Sequence, residues 1–416
     1  MPRPAPPSPP EAASLACTSS SCGVFSTFAH AAHLNDEWAV TLFNHLCFLP
    51  SPHTRRSRWV LPYSAAQPNA TRYRVAAFQR FPLTFVPSSA WEAAPLRRGV
   101  TFLADLRHAG AGPPGIAHFA KRLLRLHGML RHADEYALPA VSRIVFPATT
   151  ALQLRTHWPR ALLRLVAPRA ALIPAEALLA ERQCFAHVAT ASREDTYFTR
   201  ADDAAELRRR AYALAAVRRA RRCGGVRACY FQRAAGGRAN SGSWEGGPRT
   251  VANWREVVQA MGQLLRGAGR VEMARVNSSM TLAQQVEVFS SCDILCSVHG
   301  SQNANVMFMR EGAAFMEINP YKFFYSSYER LAQVAGLLYL PSRDNRIHTE
   351  GMDAKGLALA RHFERTYGGR TDDWCQQDGK CRKLARNFPT YVNLTTFERE
   401  FARGLRHVAA RVKECD

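Results

Sequence analysis

The sequence predicts an α/β protein whose C-terminal half is a parallel, helix-flanked sheet. Three observations predict it. From Val226 onward, apolar runs of strand length alternate with segments of helical period. The strand-like runs end in polar or glycine-bearing turns, at Gln232-Arg233 and at His299-Gly300-Ser301. Thr281-Leu-Ala-Gln284 is a capping-box pattern that opens a helix between two of those runs.

Each element follows in order. Residues 203–222 read as a linking helix, with Leu207, Tyr212, Leu214 and Val217 apolar among arginines. Residues 228–231 are a short strand, followed by a Gly/Ser-rich loop over 236–247. Residues 250–265 form an amphipathic helix, because Trp254, Val257, Val258, Met261, Leu264 and Leu265 recur at helical spacing. Gly267 and Gly269 end it. A strand over 271–276 comes next, then the capped helix from Thr281 to Ser290, then a buried strand over 293–298. After the His299-Gly300-Ser301 turn, residues 303–309 read as a short helix broken by Gly312, and 314–318 as another strand.

The upstream part is less patterned. Residues 1–22 read as a disordered leader of Pro, Ala and Ser. Residues 23–200 hold short apolar runs, at 144–146 and 162–166, punctuated by prolines, and read as a second α/β domain. Residues 201–345 then form the domain with the clear alternation, and 346–416 a C-terminal extension whose final stretch, 388–415, packs helically back across the domains. A length of 416 residues is compatible with about two to three domains.

The net charge is +22, nearly all from arginine, since the lysines are only Lys121, Lys322, Lys355, Lys380, Lys383 and Lys413. Such an excess suits an anionic partner. The arginines are spread along the whole chain and not gathered on one stretch with aromatics, which argues against nucleic acid as that partner. The co-enrichment of Ala and Arg, as in 204–222, also fits a bias of base composition. No Gly-x-Gly-x-x-Gly follows a first strand, so a dinucleotide oxidoreductase is not indicated.

Eleven cysteines are many for a cytosolic chain. Cys375 and Cys381 flank a polar loop and suit a short-loop disulfide, whereas Cys292 and Cys296 lie in an apolar stretch and read as buried thiols. No Cys/His spacing reads as a zinc site. Sequons stand at Asn69, Asn277 and Asn393, which permits glycosylation in a lumenal compartment. No apolar run reaches the ~18–20 residues of a membrane span, and the Pro-rich start has no signal-peptide core. For a lumenal enzyme this means either that the N-terminal anchor is missing from this chain or that the compartment is a different one.

In an open parallel sheet, ligands bind beyond the carboxyl ends of the strands. Arg233, His299-Gly300 and Glu317 fall there. The turn after Val298 leads into a helix N-terminus, whose free N–H groups favour a phosphate, and Gly300 allows close approach to the backbone. His299 can donate to a phosphoryl oxygen or protonate a leaving phosphate. Arg233 can fork onto a diphosphate, and Glu317 can accept from ribose hydroxyls.

These residues also carry a family resemblance. Cys296-Ser-Val-His299-Gly300-Ser301-Gln-Asn-Ala-Asn305-Val-Met-Phe308, followed by Gly312-Ala-Ala-Phe-Met-Glu317-Ile, resembles the signature of glycosyltransferase family 61. Arg233 and Arg249-Thr-Val-Ala-Asn253-Trp-Arg-Glu256 resemble that family's Arg…Arg-x-x-x-Asn-x-x-Glu stretch, and Gln183-Cys-Phe185 its Cys-Phe. Leu331 to Leu340, through Gly336-Leu-Leu-Tyr339, resembles the stretch after the donor motif. The resemblance runs over about residues 180–345. Ser301-Gln-Asn-Ala304 departs from the family's Ala-Gly-Leu-Thr, and the loss of its second glycine bears on which donor fits.

The resemblance implies a GT-B fold, two Rossmann-like domains facing a cleft. It implies an inverting transfer of xylose, arabinose or GlcNAc from a UDP-sugar to a glycan or glycoprotein hydroxyl, in the Golgi or endoplasmic reticulum. It implies no bound metal and no cofactor beyond the UDP-sugar co-substrate. Arg233 and His299 would then bind the diphosphate, Asn253 and Glu256 would shape the donor pocket and Glu317 would hold ribose, with Arg249, Gly300, Ser301 and Asn305 also donor-binding. An inverting attack needs a base. Asp36 is the candidate and His33 the second, in Ala29-His30-Ala-Ala-His33-Leu-Asn35-Asp36. The alternatives are an inactive relative that binds glycans, and a basic protein that binds nucleic acid.

Overall fold

The computed structural model describes residues 40–49, 58–63, 83–87, 95–103, 116–132, 141–146, 157–174, 183–191, 197–217, 225–231, 249–276 and 279–412. The leader expected over 1–22 lies outside them. They fall into two compact units, one within Met1–Pro114, Arg122–Arg155 and Val166–Glu194, the other within Gly115–Lys121, Thr156–Leu165 and Asp195–Asp416.

The first unit is built on a seven-stranded mixed sheet. Its strands are β1 (Val40–Leu49), β2 (Arg58–Tyr63), β3 (Leu83–Pro87), β4 (Leu96–Leu103), β5 (Val141–Phe146), β6 (Ala171–Pro174) and β7 (Gln183–Ala191), in the order β3-β2-β1-β7-β4-β5-β6. β1 runs antiparallel to both β2 and β7, and the other neighbours are parallel. Phe102, Ile144, Phe185 and Val188 are buried in it. Helix α1 (Ile116–Arg131) presents Leu123, Leu124 and Leu126, fully enclosed; its start, to Lys121, and α2 (His157–Val166) through Leu165, with Leu162 and Leu163 buried, belong to the second unit.

The second unit holds the alternation that the sequence predicts. Its parallel strands are β8 (Val226–Phe231), β9 (Gly269–Ala274), β10 (Ile294–Val298), β11 (Ala314–Ile318) and β12 (Leu338–Ser342), in the order β12-β11-β10-β8-β9. The chain therefore starts in β8, steps to one side for β9 and crosses to the other side for β10. That reversal makes the β8/β10 gap the switch point where such sheets receive ligands. The connecting helices are α4 (Trp254–Leu264), α5 (Leu282–Ser290) and α6 (Ser327–Val334), preceded by α3 (Ala201–Leu214). Successive strand residues face opposite sides. Tyr230, Cys296, Val298, Met316, Ile318 and Leu340 form one apolar face. Onto it pack Val257 and Met261 of α4 and Phe397, Phe401 and Val408 of the last helix. The opposite face carries Ser297, Glu317 and Tyr339. Gly269 is required where β9 begins, because a Cβ there would lie 1.9 Å from the Val226 carbonyl oxygen.

The remaining helices are α7 (Ala354–Tyr367), α8 (Asp372–Gln377), α9 (Gly379–Ala385) and α10 (Leu394–Val412). A small antiparallel pair, β13 (Arg346–Ile347) with β14 (Thr390–Tyr391), joins the segment before α7 to the segment between α9 and α10. α10 packs on this sheet; of the 388–415 stretch expected to be helical, Leu394–Val412 is helix and Thr390–Tyr391 is strand.

Several boundaries differ from the sequence reading for identifiable reasons. α4 begins at Trp254 and not at Thr250, because Val251 bridges Thr390 and Ala252 donates to the Thr390 carbonyl. The linking helix ends at Leu214, followed by Ala216 in the left-handed region at φ 51°. The expected short helix over 303–309 is a 3₁₀ turn spanning Ser301–Phe308, with Asn303 N–H donating to the Gly300 carbonyl. The capping box forms as read, since Thr281 and Gln284 each bond the other's backbone N–H. The Cys375–Cys381 disulfide is present. Cys292 corrects the sequence reading: it is not a thiol but is bridged to Cys229 of β8, while Cys296 is a buried free thiol.

Candidate active site

The site grows out of the end of β10. The His299 N–H donates to the Ile318 carbonyl at 3.0 Å, which extends the β10–β11 pairing by one bond. Because Ser297 and Glu317 are partners in that register, His299 lies just past Glu317 on the same side of the sheet. His299 Nδ1 meets Glu317 Oε1 at 2.6 Å. Tyr339, one strand further along, donates its hydroxyl to Glu317 Oε2 at 2.7 Å. Glu317 has 0 % exposure, so its two oxygens are used inside the protein. His299 is packed edge-on to Phe323, with ring centroids 4.7 Å apart, and against Tyr328 at 5.0 Å. It keeps 7 % of its surface open, and no described residue bonds its Nε2.

Burial pushes His299 below its ordinary pKa; Glu317 pulls it back, and the charges of Arg249 and Lys121 push it down further. The net direction is down, so the imidazole is neutral at pH 7. Two cations therefore converge on the region of His299 although they come from distant segments. Lys121, on α1, is 3 % exposed and lies over the rings of Tyr325 and Tyr197, at 4.9 and 5.4 Å. Arg249 stands at φ 63°, held by its N–H to the Phe388 carbonyl. Burial, then Glu317, drives the Tyr339 phenol well above its usual range, which keeps it a donor.

Gly300 has an extended φ of −171°, so it is not needed for handedness. It provides room: a Cβ there would lie 3.0 Å from Gln302 Oε1. Ser301 opens the 3₁₀ turn and is half-buried. Asn303 fastens the turn to the strand, accepting from Ser297 Oγ at 2.8 Å and donating to the Val298 carbonyl at 3.2 Å.

Asn305 is fully enclosed, and its amide is engaged on both sides. It accepts from Trp158 Nε1 and donates to Gln285 Oε1, each at 2.8 Å. Replacing Asn305 by alanine strands both partners in the interior, at about 1–3 kcal/mol for each unsatisfied group. The expected outcome is a stability loss of about 2–4 kcal/mol in urea melts. Asn253 is likewise occupied: its side chain accepts from the Val392 N–H at 2.8 Å and donates to the Val392 carbonyl at 3.1 Å. Glu256 is exposed and meets the Tyr391 hydroxyl at 3.2 Å.

The structure thus gathers His299, Gly300, Ser301 and Glu317, with Arg249 within electrostatic range of His299. It places Asn253 and Glu256 at the β14 edge and Asn305 in an interior amide network. Arg233, His33 and Asp36 lie outside the described residues. Sequence reasoning did not assign Tyr339, Lys121, Phe323 or Tyr328 to the site. Tyr339 had a signal in its polar tip within an apolar run; it stands near the start of β12, on the same side of the sheet as Glu317. Lys121 had none.

A neutral histidine held by a buried glutamate at the switch point of a parallel sheet defines an α/β protein that takes its ligand beyond the strand ends. Comparison with known families is more specific. The family described as Glycosyltransferase 61 matches residues 41–316, most of the chain, and the chain belongs to that family. The protein is a glycosyltransferase, and its substrates are a sugar donor and a glycan acceptor. No curated protein matches the chain. Among the described residues, no helix is long and apolar enough to cross a membrane.

Proposed function

We propose that the protein transfers a sugar from a UDP-linked donor to a hydroxyl of a glycan or glycoprotein, with inversion and without a bound metal. The observation that carries this reading is His299, held through Nδ1 at the carboxyl end of β10 with its Nε2 left for a ligand. Lys121 and Arg249 add positive charge where a diphosphate would leave. Arg233, four residues past the disulfide-bonded Cys229 of β8, joins them in this proposal. Glu317 is assigned to the orientation of His299 and not to ribose, since both its oxygens are engaged.

The proposal includes a GT-B arrangement, with residues 23–200 on the acceptor side, 201–345 on the donor side and 346–416 closing the structure. Asp36, with His33 second, is the proposed base. A Golgi or endoplasmic reticulum lumen is the proposed compartment. The disulfides Cys229–Cys292 and Cys375–Cys381, and a further bridge at Cys184, support an oxidising one.

Thermal melting of the purified chain tests the reading. Ligands that bind the native state raise the melting temperature by mass action. UDP should raise it equally with and without EDTA, UDP-xylose or UDP-GlcNAc should raise it further, and GDP and CMP should not. A shift that EDTA abolishes would sink the metal-independent mechanism. Silence with every nucleotide would sink the donor site.

A further inference from the structure

Tyr339 never touches the ligand side of His299. It stands on β12 and reaches Glu317 on β11, which in turn holds His299 after β10. Three adjacent parallel strands therefore each contribute one member of a chain, Tyr339–Glu317–His299, that runs across the sheet toward its switch point. The carboxylate receives one donor on each oxygen, the phenol on Oε2 and the Nδ1 hydrogen of the imidazole on Oε1. A neutral imidazole has a single N–H. With that hydrogen on Nδ1, Nε2 carries a lone pair. We propose that Tyr339 is a positioning residue for sugar transfer: through the Glu317 carboxylate it sets the orientation and the proton affinity of His299 toward the donor's diphosphate. This rests on the proposed diphosphate role of His299.

The consequence concerns a proton. A lone pair on Nε2 cannot donate to a phosphate oxygen, so a hydrogen bond there requires a proton taken from solvent onto Nε2. In this step an N–H bond forms at Nε2 and an O–H bond of the solvent proton donor breaks; nothing is oxidised or reduced. An arriving diphosphate supplies the negative charge that favours the imidazolium. The groups that face His299 are Glu317 from β11, Tyr328 from α6, Arg249 ahead of α4 and Lys121 from α1. Tyr197 lies against Tyr328, and Glu329 and Arg343 act on Tyr339. The site is thus poised between two cations that expel the proton and one carboxylate that attracts it.

The sign follows. The bound state has the higher proton affinity, so the affinity gain is complete below the free-state midpoint and is lost as pH rises through the bound-state midpoint. The Tyr339 hydroxyl draws negative charge from Glu317 Oε2. Removing it leaves more of that charge facing His299, so the imidazole takes up its proton at higher pH. Removing the negative charge of Glu317 does the opposite.

The test is UDP affinity of the full chain by calorimetry from pH 5 to 9, in two buffers of different ionisation heat. Wild type, Tyr339→Phe and Glu317→Gln are compared. Wild type should take up a proton on binding and weaken by up to about tenfold per pH unit between its free-state and bound-state midpoints. Tyr339→Phe keeps the ring that packs on Phe315 and should move the midpoint up by about half to one unit. Glu317→Gln should move it down. Opposite shifts are not what a packing role produces, and Glu317→Gln reports the same coupling should Tyr339→Phe melt early. A midpoint identical in wild type and Tyr339→Phe, with UDP still bound, overturns the inference alone. A wild-type chain that binds no UDP overturns the donor-site reading, and this inference with it.

Discussion

Replacing His299 by alanine lowers kcat/KM for sugar transfer about 10²–10³-fold at neutral pH, the loss expected for a preorganised group at a developing charge. The size follows from geometry. Among the described residues, His299 at the end of β10 combines a fixed orientation, through Glu317 at 2.6 Å, with a ring nitrogen that none of them bonds. Its ring cannot swing, because Phe323 and Tyr328 pack on it. A group so held costs little reorganisation when the diphosphate departs. The same substitution leaves Glu317 buried with Tyr339 as its remaining donor and so costs about 1–3 kcal/mol of stability as well. His299→Gln is therefore the informative companion, since its amide can still donate to Glu317. Initial rates with saturating acceptor, corrected for the folded fraction, separate the two effects. An alanine variant with wild-type turnover would remove His299 from the mechanism.

The fold and the site were legible in the sequence to different depths. The alternation of β8 to β12 with helices can be read, because period and turn chemistry are local signals. The strand order cannot, because which strand lies beside β8 depends on a crossover that no residue announces. So His299 and Glu317 could each be picked out at a strand end, but not their direct bond, which depends on the register Ser297 to Glu317. Two partners then changed the reading of Glu317 from a ribose contact to a holder of His299. Asn305 shows the reverse error: a residue inside a family-like motif whose amide serves Trp158, far upstream in the chain. The start of α4 was lost to the β14 segment for the same reason, a partner remote in sequence. The seven-stranded sheet was hardest, since β7 is inserted between β1 and β4.

Removing the Cys229–Cys292 bridge by double substitution to alanine destabilises the unit by about 4 kcal/mol, because the bridge closes a loop with a sequence separation of 63. The corresponding loss for Cys375–Cys381, separated by 6, is about 2 kcal/mol on the same loop-closure argument. The ordering is the sharper part of the prediction. It holds if the bridges act through the unfolded chain, and it inverts if the α8–α9 pair depends on its bridge for local shape. Cys229 and Cys292 are 1 % and 0 % exposed, so a mild reductant reaches them only through opening of the sheet. Urea melts of both double variants, with a thiol count by alkylation of the denatured wild-type chain, give the result. Two alkylated sulfurs at Cys229 and Cys292 in unreduced protein would refute the bridge and restore the reading of Cys292 as a thiol. With the bridge intact, β8 is clamped to the turn that enters β10, and these two strands bracket the switch point. Its loss should therefore weaken the proposed UDP binding as well as stability, whereas loss of Cys375–Cys381 should touch stability alone.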